Sequence, residues 1–246
     1  MSPARPIAMV PYYGGTGAHW HYESLRKANL PAVTSIGGLS SIDGARSLLL
    51  EQAMSSSHQF DVFVFIDSDV EFRRADFDAL VESAHDEQAI VGGTYLTRMG
   101  LSGEQRLVSS PDVHEDMVIS FFEAGGLYPA TALGMGFTAI PRSAVERMVQ
   151  HHQMDKCFFS LFGSRCPAYP LFMPLIHEGV YRFEDHAFCA RASEAGVSLF
   201  ADTRPSLVHH GEHGYRVEDL RVRSQHDPSF RLEIGKVIAP QEKPVE

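Results

Sequence analysis

The stretch DVFVFIDSDVEF, residues 61–72, decides how this chain is interpreted. Its centre, VFVFI at 62–66, is a continuous apolar run, whereas a strand with one solvated face alternates apolar and polar residues. The run therefore predicts a strand buried on both faces, as in a parallel sheet covered by helices. Asp67 and Asp69 follow directly, so we expect them at the carboxyl end of that strand, where open α/β sheets bind their ligands.

Strand and helix patterns alternate outward from this run. The predicted strands are 7–10, 32–36, 62–66, 89–95 and 130–140, and the predicted helices are 22–28, 45–54, 75–84, 142–152 and 184–196. VSLFAD (197–202) and SLVHHG (206–211) end the ordered part, with His209 and His210 just after a short strand. Asp43 is expected to cap the second helix and Gly196 to end the last one. This order predicts an α/β fold with a doubly wound, mostly parallel central sheet flanked by helices.

Composition excludes several classes of protein. The 246 residues are 44% hydrophobic with a formal net charge of −10, so general nucleic-acid binding is not expected. There is no apolar run long enough for a membrane span and no signal-peptide pattern, which predicts a cytoplasmic protein. The three cysteines do not form a disulfide framework or a four-cysteine zinc site, and a redox pair of Cys157 with Cys166 is the alternative.

Two aspartates separated by one residue are the clearest candidate for metal chemistry. Asp67 and Asp69 can hold a hard divalent cation that also binds phosphate oxygens. The chain contains an internal comparison, because Asp76 and Asp78 have the same spacing but fall at a predicted helix start, where carboxylates favour the helix dipole. Position in the fold therefore separates a ligand-binding pair from a structural pair.

An acidic pair also opens the helix in YRFEDHAFCARASEAG, residues 181–196. Glu184 and Asp185 either complement the dipole of that helix or provide a general base with a partner that orients an acceptor hydroxyl. The residues alone leave both interpretations open.

Histidines and tyrosines supply two weaker signals. In SLVHHGEHGYR, residues 206–216, neighbouring histidines of an extended segment point to opposite sides, so one histidine joining the two remote aspartates is favoured over a cluster of His209, His210 and His213. Polar loop histidines are the alternative. Tyr12 and Tyr13, in YYGGTGAHW, either stack on a nucleotide base or pack at a strand end, and the loop lacks a full dinucleotide-binding glycine pattern.

Taken together, these segments resemble glycosyltransferases of the GT-A fold, most closely those of family 2, from about Ile7 to Tyr215. FIDSDVEF is similar to the family's Asp-x-Asp motif, and FEDHAFCARASEAG is similar to its Glu-Asp helix. DGARSLLLEQA resembles the segment that carries an arginine near the nucleotide, here Arg46, and ALGMGFTAIPRSAVERM resembles the acceptor-side strand and helix. The order HHG resembles a His-x-Gly pattern in which His209, not His210, is the metal ligand.

The resemblance implies a single Rossmann-like domain over residues 1–239, with 240–246 as a disordered tail. It implies an inverting hexosyltransferase that moves a sugar from a nucleotide-diphosphate sugar (UDP-sugar first, GDP-sugar next) to an acceptor hydroxyl, with Mn²⁺ or Mg²⁺ as cofactor. The implied site residues are the metal ligands Asp67, Asp69 and His209; the donor-binding residues Pro11, Tyr12, Tyr13, Arg46, Asp67 and Ser68; the catalytic base Asp185 with Glu184; and the sugar or acceptor pocket of Gly134, Met135 and Gly136.

Four other functions compete with this one. A retaining transferase would share the fold, and a sugar-1-phosphate nucleotidyltransferase would share the metal but is expected to carry a basic residue in the first glycine-rich loop, which has none. A non-catalytic module that binds a nucleotide sugar or a partner, and a zinc hydrolase built on the histidines, are the remaining alternatives. Residues 96–128 and 153–180 show no pattern that assigns them a role.

Overall fold

The computed structural model describes residues 3–12, 19–97, 106–112, 117–161, 163–177, 179–211, 214–219 and 230–235. The predicted tail, 240–246, lies outside them. Within the described ranges the helices are α1 (His19–Ala28), α2 (Ile42–Met54), α3 (Arg74–Glu87), α4 (Arg142–His151) and α5 (Glu184–Glu194). The strands are β1 (Pro6–Tyr12), β2 (Val33–Gly37), β3 (Val62–Ile66), β4 (Val70–Glu71), β5 (Ile90–Gly93), β6 (Ser110–Pro111), β7 (Met117–Phe121), β8 (Leu127–Ala132), β9 (Phe137–Pro141), β10 (Cys157–Leu161), β11 (Ser164–Ala168), β12 (Leu175–His177), β13 (Val180–Arg182), β14 (Leu199–Asp202), β15 (Val208–His210), β16 (Gly214–Tyr215) and β17 (Phe230–Ile234).

Eight strands form the central sheet, in the order β2-β1-β3-β9-β5-β14-β8-β6. Strands β2, β1 and β3 run parallel, and so do β5 and β14, whereas β9 and β8 run against both of their neighbours. The sheet is therefore mixed, with β9 and β8 as its two reversed strands. The α/β class is confirmed.

Helices cover both faces of the sheet because successive side chains of a strand point to opposite sides. Ile7 and Met9 of β1 and Phe63 and Phe65 of β3 share one buried cluster with residues of α2, α4 and α5. The residues between them, among them Val64, belong to a second cluster with residues of α1 and α3. All five residues of β3 are buried, as the continuous apolar run predicts.

The structure corrects two sequence-based expectations, for the strand 130–140 and for the cap of α2, and agrees with the one for Gly196. The predicted strand 130–140 is two strands, β8 and β9, and β9 inserts antiparallel between β3 and β5. Residue Ser41, not Asp43, caps α2, because its extended backbone lets the hydroxyl accept a hydrogen bond from the Gly44 amide at 3.3 Å, while Asp43 lies in the first turn. Gly196, with φ of 70°, follows α5 in the left-handed conformation expected beyond a helix end.

The segments without a sequence assignment also have defined structure. Strand β10 pairs antiparallel with β11, and β12 pairs antiparallel with β13, which gives two hairpins. Strand β7 pairs in parallel with β17, which the sequence did not predict. No helix in the described part of the chain combines the length and hydropathy needed to cross a bilayer.

A small three-stranded sheet, β16-β15-β4, positions the site at the edge of the large one. Strand β4 begins directly after the turn that carries Asp67 and Asp69, and it pairs antiparallel with β15, His209 opposite Val70. The Val70 amide donates to the Asp67 carbonyl at 3.1 Å, which closes the turn between β3 and β4. This pairing brings two distant segments of the chain to one place.

Candidate functional site

A buried arginine lies at the centre of the site. Arg46, on α2, has a side chain that is 4% exposed, and its Nη2 donates to Asp67 Oδ1 at 2.9 Å and Oδ2 at 3.0 Å. Its Nη1 lies 3.8 Å from Glu184 Oε1, at the start of α5. The guanidinium therefore joins the carboxyl end of β3 to the N-terminus of α5. The sequence predicted Arg46 near the nucleotide, and its contact with Asp67 was not predicted.

The charges of this cluster compensate one another only in part. Burial by itself lowers the pKa of Arg46, but the carboxylates of Asp67 and Glu184 more than offset it, so the net pKa is raised. Burial raises the pKa of Glu184, against the opposing effect of Arg46. Glu184 therefore holds its proton to higher pH than an ordinary glutamate.

Asp69 and His209 form the second feature of the site. His209 Nδ1 lies 2.8 Å from the Leu96 carbonyl, and because a carbonyl only accepts, Nδ1 carries the proton. His209 Nε2 lies 3.5 Å from Asp69 Oδ2, with the two side chains 13% and 26% exposed. A carbonyl that fixes the histidine tautomer is the common support of a metal-binding imidazole.

The neighbouring histidine is engaged elsewhere. His210 Nε2 contacts Glu71 Oε2 at 2.7 Å, and its ring stacks on Trp20 with centroids 4.7 Å apart. Strand alternation thus gives each histidine its own carboxylate, His209 with Asp69 and His210 with Glu71. This separation argues against a hydrolytic zinc centre made of both histidines. His213 lies outside the described residues.

The donor set fits a divalent cation in part. Ligand atoms about 2.1 Å from a metal and at adjacent positions are about 3.0–3.4 Å apart, close to the separation of Asp69 Oδ2 and His209 Nε2. Both Asp67 carboxylate oxygens accept from Arg46 Nη2, and the side chain is 28% exposed, so each oxygen keeps a further lone pair. Asp67 stays a predicted third ligand. Among the described residues no three His, Cys, Asp or Glu side chains form a metal-binding group, so the remaining coordination positions would fall to ligand oxygens or water.

Tyr95 and His21 belong to this region although the sequence analysis did not identify them. Tyr95 follows β5 and is buried, its ring meets that of His209 edge-on at 5.1 Å, and burial raises its pKa well above the usual value. His21, on α1, is fully buried, and its Nδ1 lies 3.4 Å from the Val70 carbonyl. Burial lowers the pKa of His21. No pattern in the sequence indicated His21, because the first helix was predicted to begin at residue 22 and α1 begins at His19.

The predicted pocket residues of the 134–136 segment have distinct environments. A methyl group on Gly136 would collide with the Tyr95 hydroxyl and come within 3.1 Å of Asp67 Oδ2, and the Gly136 carbonyl accepts from the Asp67 amide at 2.9 Å. A methyl group on Gly134 would collide with Val108. Met135 is 1% exposed and belongs to the hydrophobic core. Gly136 is thus the member of this segment that contacts the Asp67 turn.

The remaining predicted residues lie at strand or helix ends. Pro11 is buried at the end of β1 and Tyr12 is half-buried beside it, where burial and neighbouring Tyr22 raise the Tyr12 pKa to about 12. Ser68 is half-buried in the turn between the two aspartates. Asp185 Oδ1 accepts from the His186 amide at 2.7 Å in the first turn of α5. Tyr13 lies outside the described residues.

Comparisons with known proteins give similarity of fold. The sequence matches no protein-family model and no curated protein. The solved structure of A197 from STIV superposes with a TM-score of 0.53 at 18% identity, covering 84% of this chain and 86% of that one. GalNAc-T7, crystallised with UDP, GalNAc and Mn²⁺, gives a TM-score of 0.47 at 9% identity, and the match covers 84% of this chain but only 44% of that chain. The likeness to A197 shows a shared α/β fold.

A cavity of about 860 Å³ lies elsewhere, at the end of the sheet where β1 begins. Arg5, His58, Arg74 and Asp78 are among its lining residues. Arg74 and Asp78 are already paired at 2.8 Å, and both are about half exposed. The cavity thus lies at the end of β1 opposite to Tyr12, away from the carboxyl ends of the parallel strands and from Asp67 and Asp69.

Proposed function

We propose that this chain is a metal-dependent, inverting glycosyltransferase that uses a nucleotide-diphosphate sugar as donor, with a UDP-sugar as the first expectation. The observation that carries the proposal is the facing pair of Asp69 and His209, which lies in the same cluster as Arg46, Asp67 and the N-terminus of α5. Transfer from a diphosphate requires positive charge at the leaving group and a base near the acceptor. Asp69 and His209 would hold a cation, Arg46 is a buried positive charge, and Glu184 and Asp185 open α5 beside it.

Asp69 and His209 would hold Mn²⁺ or Mg²⁺ on the donor side. When bound, the cation supplies positive charge against the diphosphate leaving group, which an acidic protein otherwise lacks. The Leu96 carbonyl keeps the Nε2 lone pair of His209 directed at Asp69. Arg46 holds Asp67 and is itself placed to add positive charge near the donor.

Asp185 is the proposed base, and Glu184 is its positioning neighbour. Glu184 is 19% exposed, and its Oε1 lies 3.8 Å from Arg46 Nη1, so its carboxylate already has a partner. Asp185 is half-buried in the first turn of α5, where its Oδ1 accepts from the His186 amide at 2.7 Å. In the reaction, Asp185 accepts the proton of the acceptor hydroxyl, whose oxygen forms the new bond to the anomeric carbon as the diphosphate oxygen leaves from the opposite face.

The first experiment is a thermal-shift panel of nucleotides and nucleotide sugars with and without Mn²⁺. A ligand at 100 times its dissociation constant stabilises by about 2.7 kcal/mol, or about 5–10 °C in a chain of this size. We expect one nucleotide sugar to give such a shift only with Mn²⁺, and Asp69→Ala to abolish it. Asp78→Ala is the matched control, because Asp78 belongs to the second Asp-x-Asp pair and contacts Arg74 on the surface.

Asp185→Asn then separates binding from chemistry. We expect this variant to retain the metal-dependent shift and to lose release of the nucleotide from the stabilising donor. Failure of every nucleotide sugar to stabilise the wild type, or equal stabilisation of Asp69→Ala, would overturn the proposed function.

A further inference from the structure

One face of the β12–β13 hairpin presents three large apolar side chains to solvent. Ile176 is 74% exposed, Tyr181 is 56% exposed and Phe183, the residue after β13, is 67% exposed. Most residues of this size are buried in a folded protein, and a group of them on the surface marks a binding site. We refer to Ile176, Tyr181 and Phe183 as the hairpin face.

The strand register places these side chains together. Ile176 pairs directly with Tyr181 across the antiparallel ladder, so their side chains leave the same side of the hairpin. Phe183 lies two residues beyond Tyr181, and the two rings meet edge-on with centroids 5.1 Å apart at 80°. The hairpin face is therefore an apolar surface with two aromatic rings already in contact.

This surface is continuous with the proposed base. Phe183 is the N-cap of α5, and its carbonyl accepts the first backbone hydrogen bond of that helix from Ala187 at 2.7 Å. Glu184 and Asp185 are the next two residues, so the carboxylates begin where the aromatic surface ends. A molecule lying on Phe183 has hydrogen-bond acceptors within one helical turn.

We propose that the hairpin face binds the acceptor, and that the acceptor is a saccharide. This inference rests on the proposed function and names the substrate class for the same site. A pyranose ring combines an apolar face of C–H groups, whose partial positive charge is attracted to the negative faces of aromatic rings, with hydroxyls at its rim that donate to carboxylates. The hairpin face with Asp185 offers both partners.

The size of the surface favours a ligand of a few sugar rings over a second protein. Three partly exposed side chains of this kind offer on the order of 400 Å². A stable protein interface buries about 800 Å² on each partner. The aromatic area matches one or two sugar rings, whereas a dimer would need apolar surface beyond the hairpin face.

Saturation-transfer NMR with methyl glycosides and with the disaccharides maltose, cellobiose and lactose tests the inference. The protein is used alone and again with UDP and Mn²⁺. We expect at least one saccharide to receive saturation at its ring C–H protons, and Tyr181→Ala/Phe183→Ala to weaken its binding tenfold or more. Phe158→Ala is the matched control, because Phe158 is an aromatic residue of the neighbouring hairpin with 59% exposure.

The outcomes separate this inference from the proposed function. Saccharide binding that survives in the double variant, or no saccharide binding to the wild type under either condition, overturns the acceptor assignment even if a nucleotide sugar stabilises the protein. A wild-type dimer that becomes monomeric in the double variant also overturns it, because the face is then a protein interface. Saccharide binding lost in the double variant supports the acceptor assignment when a nucleotide sugar also stabilises the wild type. If no nucleotide sugar does, the same loss shows a saccharide-binding surface on the hairpin face, and the acceptor role is overturned together with the proposed function.

Discussion

Replacing Arg46 by methionine tests the electrostatic centre of the site. Methionine keeps much of the side-chain volume but removes the positive charge. The carboxylates of Asp67 and Glu184 then lose the guanidinium that lies between them. Breaking a fully buried ion pair costs about 3–5 kcal/mol. Because the Asp67 and Glu184 side chains are 28% and 19% exposed, water offsets part of that cost, and we expect a loss of about 2–4 kcal/mol.

Urea unfolding of Arg46→Met at pH 7.5 measures this loss, and thermal unfolding should show a midpoint about 5–12 °C lower. A double-mutant cycle with Asp67→Asn assigns the cause. If the uncompensated carboxylate is responsible, the double variant is more stable than the sum of the two single effects predicts, by about 1 kcal/mol or more.

Two results would refute the reasoning. A loss below about 1 kcal/mol in Arg46→Met would mean that the guanidinium is not stabilising its neighbours. Additivity within about 0.5 kcal/mol in the cycle would mean that the loss comes from packing, for example against the Phe65 ring 5.8 Å away, and not from the pair with Asp67.

Three further predictions concern stability. Glu184→Gln should raise the thermal midpoint at pH 7.5, because burial raises the pKa of Glu184 and its ionisation therefore costs stability as pH rises through that pKa. The difference from wild type should vanish below the ordinary glutamate pKa, where both side chains are neutral. A higher midpoint of the variant that persists there contradicts the raised pKa. Gly136→Ala should lower the free energy of unfolding by about 1–3 kcal/mol, because the added methyl group collides with the Tyr95 hydroxyl. Adding Tyr95→Phe removes that hydroxyl and should restore part of the loss. If it restores none, this contact is not the cause. Ser41→Ala should cost about 1 kcal/mol in urea unfolding and Asp43→Ala less, since only Ser41 caps α2, and a reversed order refutes the cap.

Local periodicity was sufficient to predict much of the fold. The apolar run at 62–66 is a strand buried on both faces, and the helices predicted around it exist with ends shifted by a few residues. The turn after β3 places Asp67 and Asp69 at the carboxyl end of a strand, as expected. These features depend on residues close together in sequence, so they are accessible without the structure.

Strand order was not accessible in this way. Strand β9 pairs through its backbone with both β3 and β5, whose residues lie about 45–80 positions away in sequence, and no local pattern encodes such a contact. The hairpins β10–β11 and β12–β13 were not predicted, because the mixture of Phe, Pro, Gly and Cys in 153–180 has no regular apolar–polar alternation.

The candidate site was predicted in composition more than in contacts. Asp69 and His209 are brought together, and Arg46 reaches Asp67, but their roles as metal and donor ligands stay predictions. Tyr95 was missed because a buried tyrosine at a strand end has the same sequence signature as ordinary core packing. Its proximity to Asp67 and His209 exists only after β5 and β15 have been placed.

The pairing of β15 with β4 has a consequence for the timing of biosynthesis. His209 follows Asp69 by 140 residues, an interval of about 7–30 s at ordinary rates of translation. A nascent chain that has emerged through β14 can complete most of the central sheet while it still lacks His209, which follows on β15. The Asp69–His209 pair is therefore completed late, when β15 docks beside the turn between β3 and β4.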